Sequence, residues 1–276
     1  MKWTFEAEEA IRKVPFFVRK RVRGRVENEA KAEGKPFVTL DEVKATQARF
    51  LSRMETDIKG YRIETCFGAG GCPHRANAGD RLVQMLEALL AEADLLKFLK
   101  EQVHGPLKYH HEFRIALADC PNACSQPQIR DIGIIGACIP EVTQDTCSQC
   151  ASCVNACREQ AIVLGAPSSE LTTAWPFIRM NRCLSCGECV RVCPTGTIKE
   201  KGGGYRVLLG GKLGRHPMLA RELSGIFSEN SVIDIVKNGI ALYRRRSKRG
   251  ERFSEIFTDG DFEEFQIEHG AKRLDV

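Results

Sequence analysis

The sequence lacks any run approaching the roughly 20 apolar residues that a membrane-spanning helix needs, which excludes a protein that crosses a membrane. Its first residues, MKWTFEAEEAIRKV, lack the apolar segment and the small-residue cleavage site of a secretory signal. An excess of charge of one sign is also missing, because 41 basic residues are opposed by 36 acidic ones and the net charge is only +5. We therefore expect a cytoplasmic protein that has no membrane partner.

The most basic run of the chain, Arg244 to Arg249, lies at the end of a predicted helix. Cationic side chains at the C-terminus of a helix are favoured by the helix dipole. A solvated helix end therefore explains this run better than a nucleic-acid patch does. We expect no nucleic-acid partner.

Cysteine is the residue that is present in excess, with 13 in 276 residues. In a cytoplasmic protein, so many thiols favour metal ligation over disulfides. An odd number also leaves at least one cysteine unpaired under any disulfide scheme. The cysteines therefore predict metal sites.

Hydrophobic periodicity predicts an α+β protein that begins with a small helical domain at residues 1–57. A long amphipathic helix is predicted over residues 79–103. The stretch HEFRIALADC alternates apolar and polar residues, which predicts a strand that runs into Cys120. We interpret the run Gly202 to Gly204 as a hinge or linker.

Two short runs share the spacing CxxCxxCxxxC and form an internal repeat within residues 146–202. In such runs three thiolates hold one [4Fe-4S] cluster while the fourth ligates the other cluster. The spacing predicts one set made of Cys147, Cys150, Cys153 and Cys193, and a second made of Cys183, Cys186, Cys189 and Cys157. Structural zinc is the alternative, but zinc is more often held by two CxxC pairs with a longer spacer.

The repeat resembles bacterial two-cluster ferredoxins, in which a proline follows the last cysteine of the run, as Pro194 does here. One departure is visible, because Cys157 is followed by Arg158. The resemblance implies a ferredoxin domain at residues 146–202 that carries electrons between two clusters.

Four further cysteines occur in the runs CFGAGGC and DCPNAC, and they supply the ligand number of one more [4Fe-4S] cluster. Neither pair is diagnostic alone. Their combination resembles the iron-sulfur half-domain of siroheme sulfite and nitrite reductases, over residues 58–145 and 203–270 with the ferredoxin domain inserted. The resemblance implies a third set made of Cys66, Cys72, Cys120 and Cys124, in which Cys124 also bridges to the siroheme iron.

This arrangement is similar to the polypeptides of dissimilatory and anaerobic sulfite reductases in which an inserted ferredoxin feeds the catalytic centre. It implies three [4Fe-4S] clusters, siroheme, and an oxidoreductase that reduces sulfite or nitrite with electrons from a redox partner protein. Siroheme carboxylates and an oxyanion substrate require cationic partners. The candidates by position are Arg62, Arg75, Arg114, Arg130, Lys212 and Arg215.

The N-terminal segment departs from that pattern, because it resembles the small C-terminal domain found in light-independent protochlorophyllide reductase. In full-length sulfite reductases a different subdomain precedes each half-domain. Two alternatives therefore stay open: a second subunit or a second copy completes a siroheme pocket, or the chain is a non-catalytic three-cluster carrier that serves a partner enzyme. The thirteenth cysteine, Cys138, has no partner by spacing and is expected to pack in the core.

Overall fold

The computed structural model describes residues 1–165 and 175–270, together with the backbone of residues 273–274. They group into two compact units, one of residues 1–58 with 103–110 and the other of residues 59–102 with 111–276. The α-helices are α1 (Phe5–Arg12), α2 (Phe16–Ala32), α3 (Leu40–Asp57), α4 (Asp80–Glu92), α5 (Leu95–Gln102), α6 (Ser152–Ala156), α7 (Glu188–Val192), α8 (Glu229–Arg246), α9 (Phe253–Ile256) and α10 (Asp259–Gly270). The strands are β1 (Lys2–Trp3), β2 (Phe37–Val38), β3 (Tyr61–Thr65), β4 (Phe113–Ala118), β5 (Ile132–Val142), β6 (Ile162–Gly165), β7 (Trp175–Ile178), β8 (Ile198–Leu209), β9 (Arg221–Glu222), β10 (Ile226–Phe227) and β11 (Arg273–Leu274).

The first unit is a small helical domain built from α1, α2 and α3. Thr39 and Glu42 form a capping box that starts α3, because their side chains satisfy backbone N–H groups that the first helical turn leaves open. The parallel pair β1 and β2 closes the unit over a small core that contains Val26 and Val38. Among the helices of the described residues, none is both long enough and apolar enough to cross a membrane.

The second unit is built on one mixed sheet in the order β11-β10-β8-β5-β4-β3, with β9 added to β8. Strands β3, β4 and β5 are parallel, whereas β8 runs antiparallel to β5. The helices α4 and α8 contact this sheet and bury apolar side chains such as Leu86, Val236 and Tyr243. The mixture of helix and sheet confirms the predicted fold class, and β4 confirms the strand expected before Cys120.

The prediction of one helix over residues 79–103 was wrong, because the structure has two helices, α4 and α5. The break lies at Asp94, whose φ of 44° is left-handed and cannot continue an α-helix. Gly60 packs against this break, since a Cβ atom at Gly60 would collide with the backbone of Leu95 and Leu96. The break therefore lets the chain pass close to the start of β3.

The interpretation of Gly202 to Gly204 as a hinge was also wrong. These glycines lie within β8 and pair with Ile139, Cys138 and Ala137 of β5. A Cβ atom at Gly203 would lie 2.9 Å from Oδ1 of Asn77, so the close approach of a neighbouring loop explains at least that glycine. The run is part of a regular strand.

The strands β5 and β8 form one long antiparallel pair that reaches from Ile132↔Leu209 to Val142↔Ile198. Residues 143–197, which carry the cysteine repeat, fill the gap between the two strands in the chain. Within them, β6 and β7 pair antiparallel, and residues 166–174 of the predicted ferredoxin domain lie outside the described residues. Ile198 packs with Cys153, Ile162 and Cys189 in a small core of its own.

Helix α10 contains a buried carboxylate, that of Asp261, whose contribution to stability can be tested. Burial would raise the pKa of Asp261, but hydrogen bonds from Thr258 and an ion pair with Arg246 outweigh burial and lower it. We expect Asp261→Asn to cost about 2 kcal/mol of unfolding free energy near pH 7, because a hydrogen-bonded buried charge is lost. The stabilisation is present above the carboxylate's unfolded pKa and disappears as the pH falls through its lowered folded value.

Urea denaturation of both proteins across that pH range checks this expectation. The matched control is Asp259→Asn, which removes a carboxylate on the same helix that pairs with Arg221 but is 96% exposed. It should change the stability by less than about 0.5 kcal/mol. An equal loss of unfolding free energy in the two variants would contradict the stabilising role assigned to the buried carboxylate of Asp261.

Candidate iron-sulfur centres

The third set begins at the ends of two neighbouring strands. Cys66 follows β3 directly, and Cys120 follows β4 after one intervening residue. Because β3 and β4 are parallel, with Thr65 opposite Leu117, their carboxyl ends lie at the same edge of the sheet. The N–H of Cys66 donates to the carbonyl of Leu117 at 3.2 Å. Regular structure therefore positions two of the four cysteines.

Cys72 and Cys124 come from tight turns that follow these strands. A 3-10 turn at Phe67–Gly70 and the left-handed Gly71 (φ +88°) lead into Cys72. Ala123, with φ of 53°, precedes Cys124. Burial raises the pKa of Cys120, and the neighbouring thiolates of Cys66, Cys72 and Cys124 raise it further. The four predicted cysteines are thus close together, with Cys120 buried and Cys124 exposed.

Two glycines of β5 allow the backbone of the loop that carries Cys120 to pack closely against the sheet. A Cβ atom at Gly133 of β5 would collide with the carbonyl oxygen of Pro127, and one at Gly136 would lie 2.6 Å from the carbonyl oxygen of Asp119. A side chain at either position would push the cysteine loop away from the sheet. The geometry of this set therefore depends on β5.

An ion pair ties the two cysteine loops of the third set together. Nε of Arg75, three residues after Cys72, donates to Asp119 at 2.7 Å, and the same guanidinium pairs with Asp80. Burial raises the pKa of Asp119, and the charge of Arg75 acts in the opposite direction. Arg75 therefore holds one cysteine loop to the residue that precedes Cys120.

The cysteines of the repeat lie around two separate cavities. One is lined by Cys147, Cys150, Cys153 and Cys193. The other, of about 210 Å³, is lined by four cysteines and by residues of neighbouring loops; these cysteines are Cys157, Cys183, Cys186 and Cys189. Each cavity thus takes three cysteines from one run and the last cysteine of the other run. The cavities group the cysteines as the spacing does, and ligation of a cluster by each group stays a prediction.

The two runs have equivalent local structures. Residues in the left-handed region, Ala151 and Gly187, precede the short helices α6 and α7. Two residues beyond the first cysteine of each run, the N–H of Gln149 donates to Cys147 and that of Ser185 donates to Cys183, both at 3.4 Å. Internal repetition in the sequence is therefore also repetition in the backbone.

These donor sets fit clusters of iron and sulfur. Within residues 1–165 and 175–270, no three His, Cys, Asp or Glu side chains are placed to hold a single metal ion. The sets instead consist of four cysteines, and each includes a sulfur that accepts a hydrogen bond from a backbone N–H group, as Cys66 does from Gly68 and Asp119. Four thiolates stabilised by such bonds are the ligands that a [4Fe-4S] cluster uses.

The sets differ in exposure. Cys150 of the first set is exposed, and hydrogen bonds from Ser152 and Ser148 lower its pKa to about 7. Cys189 of the second set is buried, and burial raises its pKa to about 12. Each set of the repeat has one buried cysteine, and the first set differs in that it also has an exposed one, Cys150.

Three of the six predicted anion contacts pair with carboxylates of the chain, either Glu64 of β3 or Glu255 of α9. Arg62 lies 3.7 Å from Glu64, and Nε of Arg130 donates to the same carboxylate at 2.8 Å. Nζ of Lys212 donates to Glu255 at 2.8 Å. Glu255 thus compensates the charge of Lys212, whereas the single carboxylate of Glu64 is shared by Arg62 and Arg130.

The other three candidates are placed differently. Arg75 makes the ion pairs already described, and Arg215 is exposed. Burial and the nearby Arg252 lower the pKa of Arg114, and its backbone N–H donates to Asp131 at 2.8 Å. Arg114 lies opposite Arg62 in the pairing of β3 with β4 and close to Arg130 and Glu64, so the structure brings three of the six candidates together. The role of all six in anion binding stays a prediction.

Sequence reasoning missed several residues that face the second set. His74, Pro121 and Asn122, from the loops of the third set, line the same cavity as the cysteines of the second set. Cys138 is buried, as expected, but it also contacts this set, because its N–H donates to the carbonyl of Ser185 at 2.8 Å. The only signal in the sequence was the closeness of His74 and Asn122 to predicted ligands.

Comparison with known proteins gives matches along most of the chain. Residues 62–275 match the family described as the nitrite and sulphite reductase 4Fe-4S domain. Residues 3–47 match the family described as the proto-chlorophyllide reductase 57 kD subunit. Both resemblances drawn from the sequence are confirmed, whereas the insertion of a separate ferredoxin domain stays a prediction.

Individual relatives agree with the family match. The chain is 29% identical over 181 residues to the coenzyme F420-dependent sulfite reductase of Methanocaldococcus jannaschii, which covers 66% of this chain and 27% of that protein. It is 29% identical over 130 residues to one subunit of the anaerobic sulfite reductase of Salmonella typhimurium, covering 46% of this chain and 37% of that polypeptide. A crystal structure of dissimilatory sulfite reductase I is similar with a TM-score of 0.49 and 16% identity, covering 78% of this chain and 52% of that one.

Proposed function

The chain belongs to the nitrite and sulphite reductase 4Fe-4S domain family, and we propose that it relays electrons through three cysteine sets to a sulfite- or nitrite-reducing centre. The relay starts at the set of Cys147, Cys150, Cys153 and Cys193, passes the set of Cys157, Cys183, Cys186 and Cys189, and ends at the set of Cys66, Cys72, Cys120 and Cys124. When bound, [4Fe-4S] clusters supply one-electron carriers at each set.

One observation carries the order of the sets. The cavity of the second set is also lined by His74, Pro121 and Asn122, which belong to the two loops that hold the third set. Nothing from these loops lines the described part of the cavity around the first set. The second set is therefore the exit toward the third set, and the exposed Cys150 makes the first set the entrance for a redox partner protein.

The protein residues in this relay hold the clusters in place and shield them from water. Backbone N–H groups that donate to cysteine sulfurs stabilise the thiolate form of the cysteine. They also adjust the reduction potential of a cluster bound by those thiolates. Buried cysteines, such as Cys120 and Cys189, keep water away from one side of their sets. These groups need no movement to act, which suits rapid one-electron steps.

Two forms of this function differ in whether siroheme binds at Cys124. In the first form, Cys124 would hold siroheme beside the third set, and a second subunit or second copy would complete the pocket. The exposure of Cys124 favours this form. In the second form, the chain is a non-catalytic carrier that serves a separate enzyme. The internal ion pairs of Arg130 and Lys212 favour the second form, since siroheme carboxylates need uncompensated cations.

Anaerobic purification from a host that makes siroheme separates the outcomes. We expect about twelve iron atoms per chain in clusters, because three cubanes hold four each. About eight iron atoms would remove the third set from the proposal. The absorption bands of siroheme, together with turnover that depends on sulfite or nitrite, would establish the first form. A full iron content without those bands would establish the second, with protein from a host that cannot make siroheme as the spectral control.

A further inference from the structure

A chain of polar contacts joins the second cysteine set to the loops of the third set. Nδ1 of His74 lies 3.1 Å from Glu188, which pairs with Arg191 at 2.9 Å. Arg191 also donates to the carbonyl of Arg75, and Arg75 pairs with Asp119. We call these five residues the polar bridge. Glu188 and Arg191 flank Cys189, whereas Asp119 directly precedes Cys120.

Arg191 is the centre of the polar bridge because it has three partners at once. Its guanidinium contacts the carboxylate of Glu188 and donates to the carbonyl oxygens of Arg75 and Cys186, each at 3.3 Å. These partners belong to both cysteine sets. A guanidinium has five N–H donors in a fixed plane, whereas a lysine ammonium is a point charge on a flexible stem. The site is therefore specific for arginine.

The second set has another anchor on β5, on the side of Cys138. The N–H of Cys138 donates to Ser185, and Cys138 pairs with Cys186 as an isolated parallel bridge. The fit is tight, since a Cβ atom at Gly187 would lie 3.1 Å from Sγ of Cys138. The loop that carries Cys183 and Cys186 is thus fixed to the same strand whose Gly133 and Gly136 support the third set.

We propose that Arg191 is a positioning residue that holds the second set at a fixed distance from the third set. The described loops that carry the second set then act as a fixed relay and not as a mobile carrier that swings between partners. This inference rests on the proposed function, because it assumes that the second set passes electrons to the third. With [4Fe-4S] clusters bound, the cysteines of the second and third sets would hold a one-electron donor and a one-electron acceptor, and the transfer would need no proton.

The test uses the complete, cluster-loaded chain with Arg191→Leu, which keeps much of the volume but has no donors. Iron and sulfide analysis first establishes that all sets are loaded. Electron paramagnetic resonance of the reduced protein then measures the magnetic coupling between the second and third sets, with Cys120→Ser as the reference for no coupling. Rapid mixing with reduced methyl viologen, a one-electron donor that forms no sulfite, measures how fast the third set is reduced.

We expect Arg191→Leu to weaken the magnetic coupling and to slow reduction of the third set by about tenfold, as losses of positioning do. For Arg191→Lys we expect a coupling and a reduction rate between those of the unmodified protein and those of Arg191→Leu. The lysine keeps the contact with Glu188 but not both carbonyl contacts. The matched control is Arg206→Leu, which removes a two-bond ion pair with Glu222 in the same unit without touching a cysteine loop. It should leave the coupling and the rate unchanged.

Unchanged coupling and rate in fully loaded Arg191→Leu would overturn the role of Arg191. Equal losses in Arg191→Leu and Arg206→Leu would also overturn it, because the effect would then be general destabilisation. If loss of iron prevents these measurements, Glu188→Gln, which keeps the shape of the side chain, provides the same comparison. Failure of the proposed function gives a different result, since the third set of the unmodified protein would then not be reduced through the second set at all.

Discussion

Replacing Cys120 by serine is expected to remove one third of the iron and to end electron delivery beyond the second set. The remaining iron should be about eight atoms per chain, because only the first two sets keep four thiolates. Cys120 is the buried cysteine of the third set, at 8% exposure, so neither solvent nor a mobile neighbouring cysteine can replace it easily. Iron analysis and reduction of an external acceptor measure the two effects.

Matched substitutions make this prediction specific to each set. Every set has one buried cysteine of similar exposure, namely Cys153 at 8%, Cys189 at 7% and Cys120 at 8%. Each serine variant should lose about four iron atoms. In Cys120→Ser alone, an external donor should still reduce both remaining sets at the normal rate. Electron transfer to the external acceptor should nevertheless fall to background.

Cys138→Ser is the control for these variants. Cys138 is equally buried, at 4%, but belongs to none of the three sets. It should keep about twelve iron atoms. Full iron content in Cys120→Ser would show that the third set has been assigned to the wrong residues, whereas loss of iron in Cys138→Ser would show that the packing of Cys138 against the second set is needed for its loading.

The second large effect is expected from Gly133→Val. Any Cβ atom at Gly133 meets the backbone of Pro127, which cannot move as a flexible side chain can. We expect a cost of about 3 kcal/mol in unfolding free energy, at the upper end of overpacking effects. Because Pro127 follows closely after Cys124, the displaced loop should also lose the iron of the third set before that of the first two.

Gly202→Val is the matched control, since Gly202 is another strand glycine, on the neighbouring β8, with no atom within 4 Å of its Cβ position. This change should alter the stability by less than about 0.5 kcal/mol. Urea denaturation and iron analysis of both variants measure the difference. A Gly133→Val protein with normal stability and full iron content would mean that the loop of Cys120 and Cys124 is not held by contact with β5.

The sequence was sufficient for the elements whose signals are local. The capping box of Thr39 and Glu42 and the strand before Cys120 depend on neighbouring residues only, and both are present. The crossed grouping of the repeat was also predictable. There, spacing alone decides which cysteines can reach one cluster, and the observed cavities group them in the same way.

Features that depend on pairing between distant segments could not be predicted. Gly202 to Gly204 suggested a hinge because glycine is flexible alone, but the hydrogen bonds of β5, more than 60 residues earlier, fix them in a strand. The ion-pair partners of the candidate anion contacts could not be predicted for the same reason. Arg130 meets Glu64 only because β3, β4 and β5 are neighbours in the sheet, and nothing local to Arg130 reveals this compensation.

The polar bridge was unpredictable for a further reason. Arg191 and Arg75 are 116 positions apart, and each alone looks like an ordinary surface charge next to a cysteine. Only the common support of both loops by β5 brings them together. Contacts of this kind, made of single charges from separate loops, have no periodicity that a sequence pattern could show.

The long pair of β5 and β8 has a consequence for how this architecture could arise and be altered. Residues 143–197 occupy the tip of a hairpin, where a short turn would otherwise connect the two strands. Tips of this kind accept whole modules without disturbing the rest of a fold, because both ends of the added chain are already adjacent. A shortened chain in which a two-residue turn joins Val142 to Ile198 should therefore still fold its sheet. The same hairpin should then accept a different segment in place of the repeat, while the sheet and its own cysteine loops stay unchanged.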